Sequence, residues 1–285
     1  MQKLIIFLTF CLTLICQEVF PQVFFPQGED RKWVANGGFG ISSYYGDLNN
    51  PGDIIDFTPG LTLGARRHIN SKRLGNRFSV GGNITWFMLS GDDAKANNVG
   101  REVRNLSFQS HNIELLAIGQ VDLFPRGPRF YQRSDYNPYL FAGIGLLYFN
   151  PRAKYEGEWY PLRRLQTEGV KYSPVTLVIP LGIGVRYRLN PMFNIVLEGG
   201  YRFAFTDYLD DVSTVFKDPA SFDNPMARTL ADRREEIGLP KLDAGKKRGN
   251  PNKNDGYFLL QIKAEYYMHR LFGPDPYNRT IRRRR

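Results

Sequence analysis

Cysteine is almost absent from this sequence. Cys11 and Cys16 are its 2 cysteines, and both lie in the N-terminal segment. Once that segment is removed no disulfide can brace the protein, so an exported protein of this kind needs another source of rigidity, and a closed sheet supplies one. Histidine is nearly as scarce. The 3 histidines, His68, His111 and His269, stand far apart, without metal-ligand spacing; satisfied or solvated rings are expected. No Gly-x-Ser-x-Gly elbow, phosphate loop or cysteine cluster follows the N-terminal segment. The sequence therefore shows no catalytic constellation, and no enzyme activity, metal, cofactor or small-molecule substrate is expected.

Long apolar runs are missing too. Beyond the N-terminal segment none approaches the roughly 20 residues of a membrane-spanning helix, so a membrane protein with this sequence must cross as strands. The N-terminus itself reads as a secretory signal: Met1, Gln2 and Lys3, then the apolar Leu4 to Ile15. Cleavage is expected near Cys16 or Gln17, giving a signal peptide over 1–16 and a short lead-in over 17–32. Lipid attachment at Cys16 is the rival, but it calls for small residues just before the cysteine, and Ile15 is bulky.

What the sequence has in plenty is aromatic: 21 Phe, 16 Tyr and 3 Trp, 14% of residues. A hydrophobic share of 42% and a mean hydropathy of -0.38 resemble those of a soluble protein. A barrel strand has the same average, because only alternate residues meet lipid. Period-two alternation recurs throughout, in Trp33–Tyr45, Phe57–Ile69, Phe78–Leu89, Leu106–Phe124, Val175–Leu189, from Phe193 to Phe205 and in Gly256–Tyr267. Pro138–Phe149 is apolar on both faces, which leaves its orientation open. Pro180 interrupts the sixth run and predicts a bulge or a weakly paired position. These runs predict an all-β fold: an antiparallel transmembrane barrel of about eight strands over 33–267. A soluble exported barrel or sandwich is the structural rival.

The connections alternate. Those after the second, fourth and sixth runs are short; those after the third, fifth and seventh are long, the last covering 207–255. Outer-membrane barrels put short turns in the periplasm and long loops outside, which places both termini in the periplasm. Within the long loop, Asn224 and Pro225 predict a helix start and Gly238 its end, with the helix over Met226–Ile237. Lys246–Asn254 reads as mobile.

Arg66, Glu114, Asp122, Arg186, Arg188, Glu198, Arg202, Lys263 and Glu265 lie on the polar faces of the runs. A narrow barrel fills its interior with side chains, and buried charges must be paired, so these nine predict a plug rather than a conducting pore. A second set lies in the short connections and the tail: Lys72, Arg73, Arg126, Arg129, Arg133, Arg282, Arg283, Arg284 and Arg285. They account for much of the net charge of +10 and would face the periplasm. Nucleic acid is an implausible partner there; anionic membrane lipid and an acidic periplasmic protein both suit such a face. The acidic corner Asp207, Tyr208, Asp210 and Asp211 ends the seventh run. It lacks the spacing of a calcium loop, so turn capping and pairing with arginines at the rim are expected.

Four segments carry a resemblance. Tyr44–Asn49 (YYGDLN, with Tyr45, Gly46 and Asp47), Pro138–Gly145 (PYLFAGIG), Phe205–Ser213 (FTDYLDDVS) and Asn254–Phe258 (NDGYF) resemble the Bacteroidetes family of outer-membrane β-barrels that includes the type IX secretion system protein PorG. The second segment is common in such barrels; the first and third are more specific. The resemblance implies a non-enzymatic outer-membrane component of the secretion and gliding-motility machinery, in contact with a periplasmic ring of partner subunits. A stand-alone OmpA-like or small-solute transport barrel is the alternative.

Overall fold

The computed structural model describes residues 32–49, 57–69, 75–96, 99–127 and 131–268. The signal segment, the lead-in up to residue 31, Lys72, Arg73, Arg129 and Arg282 to Arg285 lie outside them, as does His269.

Eight strands close an up-and-down barrel: β1 (Trp33–Tyr45), β2 (Thr58–Ile69), β3 (Phe78–Asp92), β4 (Ser107–Asp122), β5 (Tyr136–Tyr148), β8 (Val175–Arg188), β9 (Phe193–Ala204) and β10 (Gly256–Tyr267). Each is antiparallel to its neighbours, and β1 pairs with β10 along its length, from Val34 with Tyr267 to Tyr45 with Gly256. Closure leaves the wall no edge, the condition for backbone polar groups to sit in hydrocarbon. Two further strands, β6 (Pro151–Tyr155) and β7 (Glu158–Pro161), form a hairpin beyond the wall. It occupies part of the loop that held no expected strand.

The pleat sorts the side chains. Leu61 and Leu63 of β2, Leu115 of β4, Leu140 and Ile144 of β5, Leu181 and Ile183 of β8, Leu197 of β9 and Ile262 of β10 are exposed on the outside. This band encircles the barrel. Aromatic side chains edge it at both ends. Phe124 meets Tyr136 at 6.3 Å and Phe193 meets Tyr266 at 5.0 Å near the end that carries the termini. Tyr45 meets Tyr201 at 5.8 Å, and Tyr201 meets Phe203 at 4.8 Å, near the other end. An apolar belt between two aromatic girdles matches a bilayer and its interfaces. Among the described residues no helix is long and apolar enough to cross a membrane.

The two faces of β5 separate clearly: Tyr139, Phe141 and Leu147 point inward, Leu140, Ile144 and Leu146 outward. Phe141 lies flat along the inner wall over the neighbouring β8 and β9, where a Cβ on Gly182 or Gly200 would lie 2.5 or 2.6 Å from its ring. Only glycine leaves room for that ring. Beside them the β5–β8 ladder is interrupted. Ala142 pairs with Leu181 and Gly145 with Val178, but the two positions between do not pair. Pro180, with no N–H to donate, accounts for the gap.

The end opposite the termini is covered by a cap built from the long connections. Leu48, Phe149, Leu162, Leu209, Val212 and Leu230 are buried there and continue the core upward from Phe87, Leu116 and Tyr257. Among the described residues three short helices lie in these connections: α1 (Val99–Glu102), α2 (Leu162–Leu165) and α3 (Pro225–Ala231). Asn224 caps α3 as expected, accepting from the Met226 amide at 2.9 Å. The helix stops earlier than expected, at Ala231. Asp232 takes the amides of Arg234 and Leu242 at 3.1 and 2.8 Å and holds the backbone extended. A single 3-10 turn, Arg234–Ile237, then ends at Gly238 with φ of +76°.

Substituting Leu63 by Arg in the middle of the apolar belt is expected to lower the stability of the lipid-refolded barrel by about 2–4 kcal/mol. Denaturant titration in vesicles measures it. A neutral result there would show that this surface does not face lipid.

Candidate functional site: charged lumen, cap and terminal mouth

Inside the wall, polar side chains from facing strands meet at three levels. Nearest the termini, Glu265 accepts from Arg66 Nη2 at 2.6 Å, from Arg186 Nε at 3.3 Å and from Asn194 at 2.8 Å. Arg186 also binds Asp122 and Gln120, and its guanidinium lies 3.8 Å from the centre of the Tyr139 ring. At the next level Lys263 and the Tyr139 hydroxyl both donate to Glu198. Above it Arg202 Nε lies 3.6 Å from Glu114, which also accepts from the Tyr257 hydroxyl. Eight of the nine expected lumen charges are therefore brought together: Arg66, Arg186, Arg202 and Lys263 against Glu114, Asp122, Glu198 and Glu265. All eight are buried. The count is four of each sign, so the lumen is neutral without any occupant.

Arg188 departs from the expectation. It ends β8 at the terminal mouth, half-buried, and binds Asp135 and the carbonyls of Tyr131 and Arg133. Being the last residue of its strand, it lies past the enclosed part of the lumen and can reach the connection over 123–135. That connection also differs from a free basic turn. Arg126 is buried, and Arg133 is clamped by Asn194 Oδ1 at 2.9 Å and the Pro191 carbonyl at 2.9 Å.

The two described histidines fall as a satisfied and a surface ring. His68 is buried with Ser79 Oγ 2.9 Å from Nδ1, and His111 faces outward against Trp86 at 5.8 Å. Among the described residues no group of three or more His, Cys, Asp or Glu side chains is placed to hold a metal ion.

Three of the four segments that carry the resemblance, Tyr44–Asn49, Phe205–Ser213 and Asn254–Phe258, meet at the base of the cap. Tyr44 donates to Asp255 Oδ1 at 2.9 Å, and Asp255 Oδ2 accepts from the Leu209 amide at 3.0 Å. Gly46 packs so closely that a Cβ would lie 1.8 Å from the Tyr44 hydroxyl. Asp47 Oδ2 accepts from the Asn250 amide at 2.7 Å, and Tyr208 stacks on Tyr172 at 4.6 Å. Asp210 caps its turn through the Val212 amide at 2.9 Å, as expected.

The arginines of the cap come from its loops rather than the barrel rim. Arg104 holds Asp93, and buried Arg248 donates to Glu168 at 2.8 Å and to the carbonyl of Asp211 at 2.6 Å. Lys246–Asn254 is thus anchored where mobility was expected, because Arg248 and Asn250 tie it to three other segments. Arg104, Arg248, Asp93 and Glu168 carry no local pattern; their pairing joins positions up to 144 residues apart. Asp255 stood within a resembling segment, which was its one sequence signal.

Asp207, Asp210 and Asp255 are buried together at the cap base. Neither carboxylate oxygen of Asp207 accepts a hydrogen bond of good geometry, and the nearby Ser213 side chain only partly offsets its burial. Burial, with repulsion from Asp47 and Glu168, pushes Asp207 up to about 7. Burial and the neighbouring Asp210 and Asp207 push Asp255 well above the carboxylate range. Asp211 is pushed up by burial to about 6, against the pull of Arg248.

A closed eight-stranded barrel, apolar outside and charge-neutral within, defines a protein of the outer-membrane β-barrel class. Residues 36–222 match the family model described as "Domain of unknown function (DUF6089)", and the chain belongs to that family. No curated protein matches the sequence. Among solved structures it is similar to the Neisserial surface protein A (NspA), at 11% identity and a TM-score of 0.41, covering 83% of this chain and 97% of that one. It is also similar to OprG from Pseudomonas aeruginosa, at 12% identity and a TM-score of 0.41, covering 85% and 98%. Ail of Yersinia pestis in complex with the heparin analogue sucrose octasulfate is similar at 12% identity and a TM-score of 0.38, covering 84% and 99%.

The lumen and the cap can each be tested. Glu265→Gln leaves two guanidiniums facing a neutral amide and is expected to cost about 3–5 kcal/mol, whereas Asp135→Asn at the exposed mouth costs about 0–1 kcal/mol. Denaturant unfolding in lipid compares them, and equal losses would refute the neutral-lumen account. In the cap, a carboxyl held above its ordinary value adds stability at pH below that value and loses it as pH rises through its folded value. Proteolysis within 205–255 is therefore expected to be several-fold slower near pH 5 than near pH 8, and Asp207→Asn is expected to shrink the difference. A pH-independent cleavage rate would contradict it.

Proposed function

We propose that the protein is a non-enzymatic component of the outer membrane, a structural accessory of the type IX secretion and gliding machinery. In this reading both termini lie in the periplasm, and the basic face around the terminal mouth docks periplasmic ring subunits. The observation that carries it is the neutral, self-paired lumen beneath a closed cap. A barrel so filled suits holding and docking better than passage of solute. The resemblance in Tyr44–Asn49 and Phe205–Ser213 supplies the link to secretion, and the arginines near the mouth supply a face for an acidic partner. The short terminal-end turns and long opposite loops support the orientation.

A stand-alone OmpA-like or small-solute barrel is the second reading, favoured by the fact that the described barrel completes its own core without a partner. Deleting the gene and assaying secreted proteins separates the two. The expected result is loss of secretion, with periplasmic ring proteins co-purifying with the tagged barrel. Normal secretion with the ring intact would overturn the proposal. Steady, large conductance by the purified barrel in a planar bilayer would support the transport reading.

A further inference from the structure

Above the apolar belt, the outer face of the wall changes chemistry on one side of the barrel. Along β4 the outward residues run from the exposed Leu115 and Ile113 to His111 and then Gln109. Gln109 stands opposite Arg152 of β6. In the β6–β7 hairpin Lys154 stands opposite Trp159, and Ala153 opposite Tyr160. Directly paired residues share a face of the sheet. Ala153 is buried and Tyr160 packs on the cap core, so their face turns inward. Arg152, Lys154 and Trp159 take the other face, which continues the outer face of β4, and all three are exposed.

The cations of this strip are uncommitted. Among the described residues neither Arg152 nor Lys154 has an ion pair or a side-chain hydrogen bond. The neighbouring carboxylates are engaged elsewhere. Glu158 accepts from the Tyr160 hydroxyl at 3.0 Å, on the inward face, and Glu156, in the hairpin turn, interacts with Tyr155. Glu236 is held by Arg233 at 2.7 Å. Asp92, on the far side of β4, accepts from the Ala94 amide at 3.0 Å. Residues 151–165 carry Arg152, Lys154, Arg163 and Arg164 against Glu156 and Glu158.

Height above the membrane selects the occupant. Ile113, opposite Tyr148, marks the top of the apolar belt on this side. Gln109, level with Arg152, lies four residues further, about 13 Å along a strand and about 10 Å in height at the usual barrel tilt. The long side chains of Arg152 and Lys154 can reach back toward the bilayer, whose headgroup zone is about 5–8 Å deep. A tall headgroup, a sugar that carries phosphate, would meet both cations. Arginine's fork matches phosphate oxygens, lysine adds a point charge, and an exposed tryptophan suits the interface. We propose that Arg152, Lys154 and Trp159 bind the phosphorylated sugar headgroup of a glycolipid in the leaflet at the cap end. In the orientation proposed above that leaflet is the outer one. The inference concerns the end opposite the docking face and does not depend on the secretion role.

The test titrates the full-length protein, in neutral detergent, with lipid A, a phosphorylated glycolipid, and with the same lipid after removal of its phosphates. Native mass spectrometry reads the lipid that stays bound. The phosphorylated form is expected to bind more tightly. Arg152→Gln or Lys154→Gln is expected to weaken it about fivefold, and the double variant about twentyfold. Lys253→Gln serves as control: Lys253 is exposed just before β10, halfway round the ring from β4, and its loss is expected to leave binding unchanged. Heat-dependent gel mobility certifies that each variant is folded; for a variant that fails this check, displacement of lipid A from the wild-type protein by rising salt replaces it and must occur. Equal retention of the two lipids, unchanged affinity in the folded double variant, or an equal loss in Lys253→Gln would overturn the proposal. Binding of soluble heparin that needs Arg152 and Lys154, with lipid A unaffected by their loss, would reassign the strip to a soluble acidic polymer and overturn it as well.

Discussion

The structure depends on charge balance within a narrow wall. A carboxylate or guanidinium withdrawn from water costs several kcal/mol unless it finds a partner, and here the partner must lie within the same barrel. Glu265 answers Arg66 and Arg186 together, Glu198 answers Lys263, and Glu114 answers Arg202. Each pair draws on different strands, so the pairs fix the strands' register as well as neutralising the lumen. A shift of one residue would turn every inward charge toward lipid.

Space is settled by the same economy. Tyr139 and Phe141 fill the lumen because Gly182, Gly184 and Gly200 concede it to them. Above them the apolar cap core takes over from the charged levels, and Arg104 and Arg248 hold its loops with buried ion pairs. The cap is thus a continuation of the barrel's interior by other side chains, with its own surplus of carboxylates at the junction. That surplus makes the junction sensitive to protons.

The wall was legible in the sequence because its rule is local. Alternation located Trp33–Tyr45 and Gly256–Tyr267 to the residue, and it named the inward charges, since facing is fixed by parity. Pro180 marked the break in its ladder for an equally local reason. The cap was not legible. Nothing near Arg248 in sequence announces Glu168 or Asp211, and a run such as KKRGNPNKN looks solvated until its one buried arginine is seen. The β5 faces were hidden because the inward side is aromatic rather than polar. The mouth was legible in charge but not in placement: Arg188 and Arg126 differ in burial because of where their strands end, which composition does not record.

The lumen network also bears on the order in which the molecule is made. β10 carries Lys263 and Glu265, and with Tyr257 it touches every level of the network. It is synthesised last of the eight strands, 199 residues after Arg66. Until it arrives, Arg66 and Glu198 lack the ion pairs they make in the finished wall, and the wall is open. Contacts so distant in sequence form slowly. A polypeptide that lacks the final strand is therefore both unsealed and electrically unbalanced.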